Sequence, residues 1–61
     1  MLITLEHAEK VRIKRGRLDL TKAETARRLK VTSRTLAKIE KGDYDAPKAI
    51  FARVMDFLID D

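Results

Sequence analysis

Seven basic side chains lie within twenty residues in the middle of this 61-residue sequence. They are Lys22, Arg27, Arg28, Lys30, Arg34, Lys38 and Lys41. Lysine and arginine donate hydrogen bonds and carry full positive charge, so a cluster of this kind can bind a polyanion. The alternative is that the run is only the solvated face of a helix.

The charge is unevenly distributed along the chain. Residues 22–41 hold seven basic and two acidic side chains, whereas residues 42–61 hold two basic and five acidic ones. The net charge of +4 therefore comes from the middle of the sequence. We expect a polyanion to meet one face of the protein rather than its whole surface.

The composition excludes several classes of protein. The chain has no cysteine, so it can form neither a disulfide nor a thiolate metal site. No apolar run approaches the ~20 residues of a membrane span. The chain also lacks a glycine-rich phosphate loop and a second histidine to join His7. We therefore predict no catalytic residues, no metal and no cofactor, with His7 on a helix surface.

Helical spacing of the apolar residues predicts an all-α domain over residues 1–61. A first helix is predicted over 5–15, capped by Thr4, with Ala8, Val11 and the stem of Arg15 on its inner side. Residues 2–4 could form a short extended arm before this helix. There Leu2, Ile3 and Leu5 are predicted to cover the core, with a strand at a dimer contact as the alternative.

Two more helices follow with a very short connection between them. Thr21 and Glu24 fit a reciprocal capping box at the start of the second helix, and the third is predicted over 33–41, between the cap Thr32 and the stop Gly42. The predicted inward positions of the two helices are Thr25, Ala26 and Leu29, then Leu36, Ala37, Ile39 and Glu40. So short a connection makes the helices cross steeply, which leaves one flank of the third helix projecting.

A loop over 43–47 leads to a fourth helix, predicted over 47–59 with Pro47 in its first turn and Asp45 as its cap. Its apolar stripe is wide enough to serve both the core and a second subunit. The stripe contains Ile50, Phe51, Val54, Met55, Phe57 and Leu58. Tyr44, in the loop, suits either packing at the core edge or contact with a phosphate.

Residues 22–41 resemble the helix-turn-helix of the lambdoid phage repressor and Cro (Xre-type) family. That unit has a small residue at its fifth place and apolar residues at its eighth, tenth, fifteenth and eighteenth places. The corresponding residues here are Ala26, Leu29, Val31, Leu36 and Ile39. The similarity extends through VRIKRGRLDLT before the unit and IEKG at its end, and it covers most of the chain.

The resemblance implies a lambda-repressor-like domain of four helices, with a short fifth as an alternative, whose helix-turn-helix spans about 21–41. It also implies a structural ion pair between Arg15 and Glu40. Two positions depart from the pattern. Lys30 stands at the usual glycine, where a left-handed backbone costs a non-glycine residue roughly 1 kcal/mol, and Thr25 stands at a usual leucine.

The resemblance further implies that the third helix lies in the major groove of double-stranded DNA. Ser33, Arg34 and Lys38 are then the candidates for base contacts, with guanine suited to the two basic side chains. The candidates for phosphate contacts are Lys22, Thr32, Thr35 and Lys41.

Two functions are compatible with the sequence. The first is a cytoplasmic, bacterial or phage-encoded repressor or Cro-like switch protein that binds palindromic half-sites as a homodimer. The second is an interaction module, such as an antitoxin or adaptor, that uses the apolar fourth helix. Full coverage of Phe51, Met55 and Leu58 within one monomer would favour the first, and an exposed patch would favour a dimer or a partner.

Overall fold

The protein is an all-α domain of four helices with one small sheet. A computed structural model describes residues 1–59, and Asp60 and Asp61 of the acidic tail lie outside the described residues. The helices are α1 (Leu5–Arg17), α2 (Lys22–Leu29), α3 (Ser33–Lys41) and α4 (Lys48–Ile59). Two short strands, β1 (Leu2–Ile3) and β2 (Tyr44–Asp45), pair antiparallel. The predicted all-α class is confirmed, and residues 1–59 contain no fifth helix.

Threonine side chains cap the first three helices. The Oγ1 atoms of Thr4, Thr21 and Thr32 accept from backbone amides three residues further on. Glu24 completes the predicted box at α2 by accepting a hydrogen bond from the Thr21 backbone N–H. This bond is the largest cause of a lowered pKa of the Glu24 carboxyl, and the interaction with the Thr21 hydroxyl is the second. His7 completes a similar box at α1 through Nδ1, so it is a half-buried capping residue and not the simple surface residue predicted.

The turn between α2 and α3 contains a lysine in the left-handed region. Lys30 has φ 56° and ψ 44°, so of the two possibilities at the glycine place of the motif, a left-handed lysine or a different turn, the structure has the first. Its amide donates to the carbonyls of Ala26 and Arg27, which ends α2. Arg53 of α4 donates from Nη1 to the Lys30 carbonyl at 3.2 Å. The strained residue is therefore held by hydrogen bonds to α2 and to α4.

We expect Lys30→Gly to leave the free energy of unfolding unchanged or to raise it by up to about 1 kcal/mol, because relief of left-handed strain offsets the greater flexibility of unfolded glycine. Asp19→Gly is the matched control, since Asp19 has φ 55° but aspartate tolerates this region better than lysine. Thermal melting checks both variants. A clear loss of stability for Lys30→Gly would contradict the expected strain.

The core lies where all four helices and β1 meet. It consists of Ile3, Val11, Ala26, Leu29, Leu36, Ile39, Ala46, Val54 and Phe57. Thr25 is also fully buried, and its hydroxyl donates to the Thr21 carbonyl at 2.9 Å, so the side chain satisfies its polar atom locally while its methyl faces the core.

One predicted inward position is wrong, and another is only partly covered. Ala37 is exposed, because it lies four residues from Ser33 and Lys41 and so shares their side of α3. On α1 the third buried position is Lys14 rather than the stem of Arg15, which is half-buried. The Lys14 ammonium donates to the Phe57 carbonyl in the last turn of α4 and lies 5.2 Å from the Phe57 ring centroid. A cation at this end of a helix is favoured by the helix dipole.

The extended arm pairs with the segment after α3. Leu2 pairs with Asp45 and Ile3 with Tyr44. Ile3 is fully buried as predicted, whereas Leu2 is 50% and Leu5 68% exposed, because only alternate strand residues face the core and Leu5 begins the outer side of α1.

The start of α4 differs from the predicted one. The Asp45 carboxylate accepts from the Met1 ammonium at 3.0 Å, and Asp45 lies in β2 rather than at the cap. The first helical residue is Lys48, and the Pro47 carbonyl accepts from the Phe51 amide at 2.9 Å. Pro47 therefore occupies the cap position, where its missing N–H has no consequence.

The apolar stripe of α4 is shared between the core and the surface. Val54 and Phe57 are buried. Phe51, Met55 and Leu58 are half-buried and pack against the core, as does Ile50. These side chains are thus used within one monomer, although they are not fully covered.

Candidate nucleic-acid interface

One flank of α3 projects from the domain. Leu36, Ile39 and Glu40 are buried, and α3 packs through them against α1 and α2. The other side of the helix is exposed along its whole length. It carries Ser33, Arg34, Ala37, Lys38 and Lys41. The helix therefore offers a polar and basic surface from its first turn to its last.

A groove of about 260 Å³ joins the start of α2 to this flank. It is lined by Lys22, Ser33, Leu36, Ala37, Glu40 and Lys41. Lys22 is the first residue of α2, so the N-terminal amides of that helix lie beside the groove. The structure therefore brings together a predicted base contact, Ser33, and two predicted phosphate contacts, Lys22 and Lys41.

The two basic candidates for base contacts have different surroundings. Arg34 is exposed and forms no hydrogen bond or ion pair with another residue of the described chain. The Lys38 ammonium lies 5.8 Å from the ring centroid of Tyr44, at a cation–π distance. Tyr44 is half-buried and packs against the core. Its ring thus connects the middle of α3 to the small sheet.

The threonine hydroxyls near the start of α3 are partly engaged. Thr32 Oγ1 accepts from the Thr35 amide at 3.2 Å and donates to Thr35 Oγ1 at 3.0 Å. Either hydroxyl can donate across this contact, so one of the two protons is used and the other is free to be donated. These two predicted phosphate contacts therefore have one free hydroxyl donor between them.

Two arginines of α1 fix the position of α3. Arg15 donates from Nε to Glu40 Oε2 at 2.7 Å and from Nη2 to Glu40 Oε1 at 3.3 Å. Arg12 donates to the Glu40 backbone carbonyl in the last turn of α3. A forked arginine contact of this kind sets orientation as well as distance. The exposed flank of α3 is thus held relative to α1 by two side chains.

Three features of this arrangement were not predicted from the sequence. They are the exposure of Ala37, the hydrogen bond from Arg12 to α3, and the contact of Tyr44 with Lys38. The spacing of four from Ser33 and Lys41 could have placed Ala37 on the exposed side. Nothing in the local sequence indicates that Arg12 reaches Glu40 or that Tyr44 reaches Lys38, because both contacts depend on how separate elements pack.

The described residues contain no group of three or more His, Cys, Asp or Glu side chains that could hold a metal ion. Within residues 1–59 no helix has the length and apolar character needed to cross a membrane.

A family model described as helix-turn-helix, of the Xre type, matches residues 5–58. The chain belongs to the Xre-type helix-turn-helix family. The match includes all four helices almost completely, and α2 and α3 form the helix-turn-helix itself. No curated protein and no solved structure matches the chain significantly.

The Xre-type helix-turn-helix family is one of DNA-binding regulators, and membership of it implies that this domain binds double-stranded DNA. In a helix-turn-helix the second helix of the motif enters the major groove. In this chain that helix is α3, whose free flank carries exposed basic side chains.

Proposed function

We propose that this protein is a transcriptional repressor or Cro-like switch protein that reads operator half-sites with α3. The observation that carries the proposal is the arrangement of α3. Its buried face and the two arginines of α1 hold it in place, while Ser33, Arg34 and Lys38 project from its other side. A protein of this kind would act in the cytoplasm of a bacterium, on the host or phage genome.

Base recognition is assigned to three residues of α3. Arg34 and Lys38 suit O6 and N7 of guanine, and Ser33 suits either a donor or an acceptor. Exposed Ala37 adds an apolar group that suits the methyl of thymine. We therefore expect a half-site that contains guanine, with a thymine beside it.

Phosphate recognition is assigned to residues at the edges of the same surface. Lys22 and Lys41 both line the groove between α2 and α3, where their charges can meet backbone phosphates. Thr32 and Thr35, whose hydroxyls are bonded to each other at the start of α3, have one hydroxyl proton free for a phosphate. The amides at the start of α2 provide a further anion contact.

One copy of the chain presents one recognition helix, so we propose that two copies bind a palindromic site as a homodimer. The centres of the half-sites are then about one helical turn, ~34 Å, apart. Selection of binding sites from random duplex DNA at a stated salt concentration tests this directly. A palindromic consensus with guanine in each half is expected, and recovery of no consensus would contradict sequence-specific binding.

The interaction module remains a second candidate because of the end of α4. Ile59 is 79% exposed there, although Phe51, Met55 and Leu58 pack partly against the core. An apolar side chain at the end of a half-covered stripe suits contact with another chain. Failure of the DNA selection together with stable complex formation through α4 would favour this function.

We expect Arg34→Ala to weaken specific binding by about 1 to 3 kcal/mol while changing non-specific binding much less, because a base contact is lost. Lys22→Ala should weaken both alike and flatten the salt dependence by about one unit, because a phosphate contact is lost. Titration of the selected site and of a random duplex over several salt concentrations separates the two effects. Equal losses on both duplexes for Arg34→Ala would rule out base reading by this residue.

A further inference from the structure

A second, larger groove lies between the end of α2 and the middle of α4. Its volume is about 390 Å³. It is lined by Arg28, Leu29, Lys30, Arg53, Asp56 and Phe57. None of these residues is among those assigned above to bases or phosphates. The groove is therefore a separate surface that DNA recognition by α3 does not use.

The groove carries more positive than negative charge, since three basic side chains and one carboxylate, that of Asp56, line it. Arg28, Lys30 and Arg53 are all exposed, and none of them forms an ion pair within residues 1–59. Arg53 is positioned by its bond from Nη1 to the Lys30 carbonyl, which leaves its other N–H groups available. Two guanidinium groups and one ammonium around a concave surface suit a ligand with more than one carboxylate.

Two further features of the groove indicate a peptide. Asp56 places a carboxylate within the basic rim, where it can accept hydrogen bonds from peptide N–H groups. Leu29 and Phe57 form an apolar floor between the charges. A DNA backbone has neither N–H donors nor apolar side chains to match these features, whereas an acidic peptide has both.

We propose that this groove binds an acidic peptide segment of a partner protein, with carboxylates on Arg28, Lys30 and Arg53 and a backbone N–H on Asp56. Because the groove is separate from the α3 flank, the domain can hold DNA and the partner at once. The proposal does not depend on how α3 reads DNA.

The test uses the full chain labelled with ¹⁵N and a capped pentapeptide, Asp-Asp-Leu-Asp-Asp, followed by amide chemical shifts. The selected duplex is first added to saturation so that the basic flank of α3 is covered. Shifts are expected at the amides of Arg28, Lys30 and Arg53. The neutral peptide Asn-Asn-Leu-Asn-Asn is expected to cause none, because the interaction requires charge.

Variants separate the groove from general positive charge. Arg28→Ala and Arg53→Ala should each lower the affinity for the pentapeptide about 5-fold, as expected for an exposed charged contact. Arg27→Ala is the matched control, since Arg27 is the exposed neighbour of Arg28 on the same helix but does not line the groove. It should change affinity less than about 2-fold. Arg28 forms no hydrogen bond in the described chain, so its variant tests the site without disturbing the turn.

Three outcomes would overturn the proposal. They are shifts confined to α3 in the free protein, equal losses for Arg27→Ala and Arg28→Ala, and equal binding of the neutral peptide. If no DNA sequence is selected, the same titration is done on the free protein, where shifts at the groove still support the peptide site. Failure of the DNA function and failure of this site are therefore distinguished.

Discussion

Gly42→Ala is expected to lower the free energy of unfolding by about 3 kcal/mol. Gly42 ends α3 with φ 86° and ψ 178°, a conformation that is almost restricted to glycine. A Cβ added there would lie 2.9 Å from Cα and from Cδ2 of Leu5 and 3.2 Å from Cβ of Ala8. Because Leu5 Cα belongs to the backbone of α1, the clash can be relieved only by moving α1 away from the end of α3.

The second glycine supplies the control. Gly16 lies within α1, and a Cβ added to it would have no atom within 4 Å. Gly16→Ala should therefore raise the free energy of unfolding by about 0.5 to 1 kcal/mol, since alanine favours a helix over glycine. Urea denaturation of both variants measures these changes. Similar effects of the two substitutions would show that the close approach of α1 and α3 at Gly42 is relaxed in solution.

Glu40→Ala is expected to cost about 2 kcal/mol of stability, because it leaves the Arg15 guanidinium without its carboxylate in a mostly buried setting. The Glu40 side chain is 10% and the Arg15 side chain 23% exposed, so some of the loss is recovered by hydration of Arg15. Replacement of both residues, Arg15→Met with Glu40→Leu, should cost less than Glu40→Ala alone, because no charge is then stranded.

A double-mutant cycle with alanine at both positions measures the coupling between Arg15 and Glu40. The exposed pair of Lys10 and Glu6, joined at 3.4 Å, is the matched control. Its coupling should be about 0.3 to 0.5 kcal/mol, as is usual for exposed pairs one turn apart on a helix. Coupling of the same small size for Arg15 and Glu40 would mean that the contact does not determine the position of α3.

The local chemistry of the chain made much of this fold predictable. The start of α2 follows from Thr21 and Glu24, since a cap depends on neighbours within a few residues. The place of Lys30 in the motif indicated where a left-handed residue would stand, but not whether a lysine would adopt that backbone. Lys14 was not predicted to be buried, because its partner is the carbonyl of Phe57 in another helix. The burial of a lysine can be predicted only when the position of the helix that accepts its hydrogen bond is known.

In the candidate site, too, features within one helix were predictable and contacts between separate elements were not. Ser33, Arg34 and Lys38 lie on one exposed side of α3, and helical spacing alone indicates that they share it. The groove beside Lys22 and the approach of Tyr44 to Lys38 were not predictable, since each joins elements that are distant in the chain. How these residues act on DNA stays a prediction until binding is measured.

The recognition helix is also part of the interior of the protein, since α3 packs against α1, α2 and β2. Occupancy by DNA and folding are therefore linked: a ligand that binds only the folded chain at a hundred times its dissociation constant adds about 2.7 kcal/mol to stability. For a domain this small, that is a large fraction of the few kcal/mol available. Chains bound to DNA should outlast unbound chains in the presence of a protease, so the number of binding sites would influence how long the protein persists.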